Sequence, residues 1–160
     1  MGRVAVETGK EIAQKGVAAR IKGIVQGVGF RPFIYNLARD NNVKGFVSNT
    51  AQGVYIEAEG AAESVEAFLD AISKQKPPLA HIVSIETAEQ PQKSYADFSI
   101  HKSESQTERR TLISPDVCVC DDCLRELFDP QDRRYGYPFI NCTNCGPRYT
   151  IIMDIPYDRP

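Results

Sequence analysis

All five cysteines of this chain fall between Cys118 and Cys145, and four of them form two C-x-x-C pairs, Cys120 with Cys123 and Cys142 with Cys145, separated by eighteen residues. A C-x-x-C turn presents two thiolates as two corners of a tetrahedron, and two such turns close a structural Zn²⁺ site. So few apolar residues surround the pairs that bound metal would supply much of the local folding energy. Gly146, directly after the second pair, fits the same reading, because a glycine lets backbone N–H groups turn in toward the sulfurs. A redox dithiol or two disulfides are the alternatives. The odd cysteine count and an opening stretch, MGRVAVETGKEIAQKG, without the apolar core of a secretory signal favour metal and a cytoplasmic protein. Cys118 lies too close to the first pair to serve the same tetrahedron comfortably. It is expected to be a free thiol, with substitution for Cys120 as the other possibility.

The cysteines also mark where the chain divides. Every lysine lies at or before Lys102, after which all cations are arginines, and the polar stretch HKSESQTERRTLISPD carries no periodicity. These features place a linker at 105–117, between one domain at 17–104 and a small cysteine-rich segment at 118–160. Residues 1–16 have helical flavour near Lys10 to Lys15 but little apolar surface, and are expected to form a disordered or frayed extension. A net charge of −2 gives no case for a nucleic-acid or membrane surface binder, and no apolar run approaches the ~20 residues of a membrane span. Arg133, Arg134 and Arg148 beside Tyr135, Tyr137 and Tyr149 are read as a solvated face or an intrachain docking surface.

Within the larger segment, hydrophobic periodicity sets the order of elements. Val17, Ala19, Ile21 and Val25 alternate against Arg20 and Lys22, as in a half-buried strand, and Phe33, Ile34, Leu37 and Ala38 follow at helical spacing. Residues 44–59 read as two strands around an Asn-Thr-Ala-Gln-Gly turn, with Val54, Ile56 and Ala58 alternating against Tyr55, Glu57 and Glu59. Val65, Phe68, Leu69 and Ile72 mark a second helix, ended by Pro77 and Pro78. Residues 80–87 give a fourth strand and 97–101 a short last one. The order is βαββαβ plus a short edge strand. Two helices of this length cover only one face of a four- or five-stranded antiparallel sheet, so the fold class is α+β, a ferredoxin-like sandwich followed by a small zinc-finger-like segment.

The loop Gln26-Gly27-Val28-Gly29-Phe30 joins the first strand to the first helix, and Arg31 stands in that helix's first turn. A helix N-terminus already carries partial positive charge, so an arginine there is electrostatically misplaced unless an anion lies between them. Glycines at 27 and 29 permit successive N–H groups to converge on one point, and the guanidinium adds a planar fork to the same pocket. On physics alone a second reading stays open, in which the glycines make a tight connection and Arg31 reaches solvent. The spacing matches neither a Rossmann nor a Walker loop. Asn49, taken by itself, reads as a turn-forming asparagine, and His81 and His101 as strand residues. No covalent nucleophile arrangement can be assembled here, so catalysis would have to work through positioning and charge stabilisation.

The stretch GIVQGVGFRPFIYNLARDNNVKGFVSNTAQGVYIEAEG resembles the acylphosphatase signature followed by that family's second motif, the glycine-aromatic-valine-x-Asn segment ending at Asn49. The likeness covers about residues 17–102. It implies that Arg31 and the backbone N–H groups of Gln26, Gly27, Val28, Gly29, Phe30 and Arg31 bind a phosphoryl group, and that Asn49 orients the attacking water. Pro32 departs from the commonest form of the signature. The run CLRELFDPQDRRYGYPFINCTNCGPRYTII, ending in PYDRP, is similar to the first zinc-finger segment of the HypF-type carbamoyltransferases, hydrogenase maturation factors that open with an acylphosphatase-like domain carrying VQGVGFRPF. That resemblance accounts for Pro32. It implies carbamoyl phosphate or another acyl phosphate as substrate, a structural Zn²⁺ on Cys120, Cys123, Cys142 and Cys145, and a HypE-type maturation protein as partner of the intact enzyme. The family continues with a second finger, a YrdC-like and a Kae1-like domain, so the chain is expected to be an N-terminal piece in which only acyl phosphate hydrolysis could survive. The alternative is a non-catalytic module that binds acyl phosphate and scaffolds the missing transferase domains.

Overall fold

The computed structural model describes residues 13–102, 118–142 and 145–146. Strands β1 (Gln14–Ile24), β2 (Lys44–Thr50), β3 (Gly53–Ala61), β4 (His81–Gln90) and β5 (Phe98–Ile100) form one sheet in the order β4-β1-β3-β2-β5. Helix α1 (Phe30–Asp40) follows β1, α2 (Ala62–Lys74) follows β3, and α3 (Asp121–Phe128) belongs to the cysteine-rich part. This is the βαββαβ sandwich expected from the periodicity, with the short strand added at one edge.

The alternation in β1 and β3 decides which face the helices cover. Val17, Ala19 and Ile21 pair with Ala58, Ile56 and Val54 across the antiparallel β1–β3 ladder, and all six are buried. The helices close over them with Ile34, Leu37 and Ala38 from α1 and Val65, Phe68 and Ile72 from α2, giving one continuous core. Fully burying side chains of this size contributes roughly 1.5–3 kcal/mol each before chain entropy is counted.

Three details depart from the sequence reading. Strand β1 begins at Gln14, so Gln14 and Lys15, read as having helical flavour, are strand. Gly16 interrupts the apolar alternation and hides the start, but pairing with Ala61 and Gly60 extends the strand, and Lys15 reaches Glu66 of α2 at 3.0 Å. Strand β4 runs on to Gln90, past its apolar residues, because β1 supplies backbone partners as far as Gly16. Third, the sheet is antiparallel except at its last edge, where β5 lies parallel to β2. The reason lies in the connection from β4, which crosses the sheet face away from the helices before β5 joins.

Glu57 and Glu59 anchor that crossing. Both lie on the face of β3 opposite the core, and both are buried. Glu59 accepts hydrogen bonds from the backbone N–H groups of Lys93 and Tyr95, each at 2.7 Å. Glu57 accepts from the hydroxyls of Tyr55 and Tyr95 at 2.9 and 2.6 Å, from Gln90 Nε2 at 3.1 Å and from Lys93 Nζ at 2.8 Å. Burial alone would push the Glu57 carboxyl up, but these donors outweigh it and hold it at about 2. His101 follows β5 and stacks on Phe46 at 4.2 Å, while His81 opens β4. The stretch 105–117, read as a linker, lies outside the described residues, as do Arg148 and Tyr149.

Candidate functional site

Helix α1 starts with neither a side-chain cap nor an acidic residue in its first turn. Its N-cap is Gly29, in the left-handed region at φ 73°. Gly27 has the same φ of 73°. Two left-handed residues flanking Val28 curl the loop, and Val28 and Phe30 drop into the core beneath it with 1% exposure each. The apolar side chains thus fix the loop from below while its backbone stays above.

Gln26 ties this loop to the β2–β3 turn. Its Nε2 donates to the carbonyls of Thr50 and Gly53 at 2.9 and 2.8 Å, and the residue is buried. Sequence reasoning gave Gln26 only a backbone role and missed this bridge; its place beside the glycine pair was the one available hint. The same turn follows Asn49, which sits in β2 on the core side of the sheet, paired with Val54 and 1% exposed. With its amide oxygen turned toward Arg31, Asn49 accepts from Arg31 Nε at 3.1 Å and from Nη2 at 3.2 Å. That orientation is the one that pairs an acceptor with donors, and it directs the Asn49 Nδ2 donor to the opposite side. The guanidinium and the asparagine amide therefore meet at the α1 N-terminus, next to the glycine loop in the chain. A broad hollow of about 620 Å³ lies on the far face of the sheet, lined by residues including Arg20, Lys22, Phe46 and Tyr55. There Lys22 is paired with Glu86 at 2.7 Å and Arg20 lies over the Tyr55 ring at 5.4 Å, and the lining reaches Thr50 and Gly53 of the β2–β3 turn.

The second constellation is the cysteine cluster. Cys120 is the N-cap of α3 and Cys123 lies in its first turn, where Asp121 and Asp122 complement the helix dipole. The sulfurs of Cys120, Cys123, Cys142 and Cys145 all lie within 4.8 Å of one another. Separations of 3.4 Å for Cys120–Cys142, 3.7 Å for Cys123–Cys145 and 3.9 Å for Cys142–Cys145 are far beyond a disulfide bond. Tetrahedral thiolate coordination at ~2.3 Å requires sulfurs ~3.8 Å apart, so the four donors fit a metal ion of zinc's size. The backbone N–H of Cys142 donates to Cys145 Sγ at 3.4 Å, a contact that favours a thiolate. Gly146 does not turn its own N–H to sulfur; it donates to the Cys142 carbonyl at 2.8 Å and closes the knuckle. In the absence of a cation, burial pushes the Cys123 thiol up, which a divalent ion would reverse. Cys118 is exposed and stands outside the four-sulfur group. Arg134 pairs with Glu126, which accounts for one of the arginines on this face.

Comparison with known proteins matches these two halves separately and together. The family model for acylphosphatase matches residues 17–100, and that for the HypF finger matches 119–152. The "Probable carbamoyltransferase HypF" of Methanocaldococcus jannaschii is 49% identical over 145 residues, covering 89% of this chain and 19% of that protein. The acylphosphatase of Thermotoga maritima is 40% identical over 87 residues, covering 54% of this chain and 96% of its own length. A crystal structure of full-length HypF in the phosphate- and nucleotide-bound form superposes with a TM-score of 0.85 at 51% identity, over 94% of this chain and 20% of that one. The chain thus spans about a fifth of the length of the HypF proteins it matches. Among the described residues, no helix is long and apolar enough to cross a membrane.

Proposed function

The chain belongs to the acylphosphatase family and carries a HypF finger after that domain, and on that premise we propose that its sandwich hydrolyses acyl phosphates, with carbamoyl phosphate as substrate. The observation that carries this reading is the meeting of Arg31 with the Asn49 oxygen beside a doubly left-handed glycine loop, at a helix N-terminus without an acidic residue. The backbone N–H groups of residues 26–31 and the Arg31 guanidinium hold the phosphoryl oxygens. Asn49, its oxygen held by Arg31, orients the attacking water through its amide. The water oxygen forms the new bond to phosphorus as the bond to the acyl oxygen breaks, releasing phosphate and the acid, carbamate in the case of carbamoyl phosphate. An acyl phosphate already has a good leaving group, so an anion cradle and a placed water suffice without a strong base.

The finger holds Zn²⁺ on Cys120, Cys123, Cys142 and Cys145, where the ion supplies folding energy rather than chemistry. In a longer protein of the HypF kind, further domains would activate the carbamate with ATP and pass the carbamoyl group onward to a HypE-type partner, in the cytoplasm, where thiols stay reduced. Phosphate release from carbamoyl phosphate and from a generic acyl phosphate tests the reading. Arg31→Ala should lower kcat/KM about 100-fold, equivalent to ~3 kcal/mol of transition-state stabilisation. Equal rates in the two proteins would remove the catalytic reading, and tight phosphate binding without turnover would leave a binding module.

A further inference from the structure

Among the described residues, Gly146 of the finger lies against Gly27 of the anion loop. Gly146 lies in the left-handed region at φ 71°, and a Cβ built on it would stand 1.5 Å from the Gly27 oxygen and 2.6 Å from the Gly27 carbonyl carbon. Backbone therefore rests on backbone, with no room for even one methyl group. Gly146 is located by the cluster behind it, through its hydrogen bond to the Cys142 carbonyl at 2.8 Å and through its covalent neighbour Cys145, which is 4% exposed. Gly136 provides the contrast. It has nearly the same backbone, φ 68°, but a Cβ there would meet nothing within 4 Å. The conformation at 136 serves its turn alone, whereas at 146 it also permits contact with the loop.

We propose that Gly146 is a positioning residue for the anion loop, so that the metal-held knuckle sets the direction of the Gly27–Val28 peptide. A trans peptide is planar, with its C=O and N–H antiparallel. A Gly27 carbonyl aimed at the finger therefore directs the Val28 N–H away from the finger, and a knuckle that cannot yield keeps that peptide from flipping. Gly27, left-handed and without a side chain, is the place where a flip costs least. The proposal rests on the reading of the loop as a phosphate site. It adds that metal and anion binding are thermodynamically coupled, and such coupling is reciprocal: metal tightens phosphate by the same factor as phosphate tightens metal.

The test uses the full chain and inorganic phosphate. Phosphate affinity is measured by calorimetry on zinc-loaded protein and on protein stripped by a chelator, and zinc affinity by chelator competition with and without saturating phosphate. Stripping should weaken phosphate about 10-fold, within the usual range of such couplings, and phosphate should tighten zinc by an equal factor. Gly146→Ala should weaken phosphate to a similar degree, while Gly136→Ala, with equal backbone strain and no contact, should leave it unchanged. If Gly146→Ala sheds its zinc, it should match the stripped protein. A phosphate affinity indifferent to stripping, or a zinc-loaded Gly146→Ala that binds phosphate normally, overturns the coupling and leaves the phosphate site intact. An unaltered protein that binds no phosphate overturns both.

Discussion

In the sandwich, Ile56, Phe68, Ile34 and their neighbours are wholly buried between one sheet and two helices, and the core runs without a break from Val17 to Phe98. In the finger the described buried apolar side chains are Cys123, Ile140 and Cys145, while Phe128 and Phe139 each keep 71% of their surface exposed. The two regions solve one problem by different means. Where enough apolar area exists, stability is spread over many side chains and no single one is indispensable. Where it does not, four sulfur atoms must carry the fold, and losing one loses nearly everything.

The largest effect expected from this contrast is on the finger. Removing the proposed zinc, or making Cys123→Ser, should unfold it, since structural zinc contributes on the order of 10 kcal/mol to such domains. Hydrogen exchange would show protection lost across 118–142 while β1, β3 and α2 keep theirs. A sandwich that melts with the finger would break the contrast. Next in size, Phe68→Ala should cost the sandwich about 3–5 kcal/mol, read as a lower denaturant midpoint. Under native conditions the zinc content per chain should not change, and zinc lost in proportion would again join the two regions.

A smaller effect sharpens the comparison from the polar side. The Glu57 carboxyl is depressed from 4.5 to about 2 by donors that tie the 91–97 crossing to β3. A group whose folded pKa is lowered contributes stability above its unfolded pKa and loses it as pH falls through the folded one. Glu57 should therefore contribute on the order of 2–3 kcal/mol above pH ~4.5, fading between there and pH ~2. Unfolding free energies measured across that window should fall in the unaltered protein. Glu57→Gln should start lower and stay flatter, and parallel curves would show that another group carries the acid sensitivity.

The core was legible because it is a pattern of period. Alternation in Val17, Ala19 and Ile21 and helical spacing in Val65, Phe68 and Ile72 state which face each element buries, whatever its partner. Glu57 and Glu59 were not legible, because in the sequence they are the polar side of β3 and nothing nearby announces that residues 91–97 will cover them. The candidate site divides in the same way. Gly27, Gly29 and Arg31 stand out locally, as do the C-x-x-C pairs. The Gln26 side chain, which ties the loop to the turn after Asn49, does not, because a glutamine's partners depend on which backbone happens to pass it.

By itself, then, the sequence determined the alternating faces of the strands, the curled entry to α1 and the two thiol pairs of the C-x-x-C turns, since each follows from residues within a few positions of one another. Only the tertiary structure decided that Asn49 meets Arg31, that the sheet ends in a parallel strand and that Gly146 abuts Gly27. Those contacts join residues far apart along the chain. Such distances are set by the path of the whole fold, which local spacing constrains but does not specify.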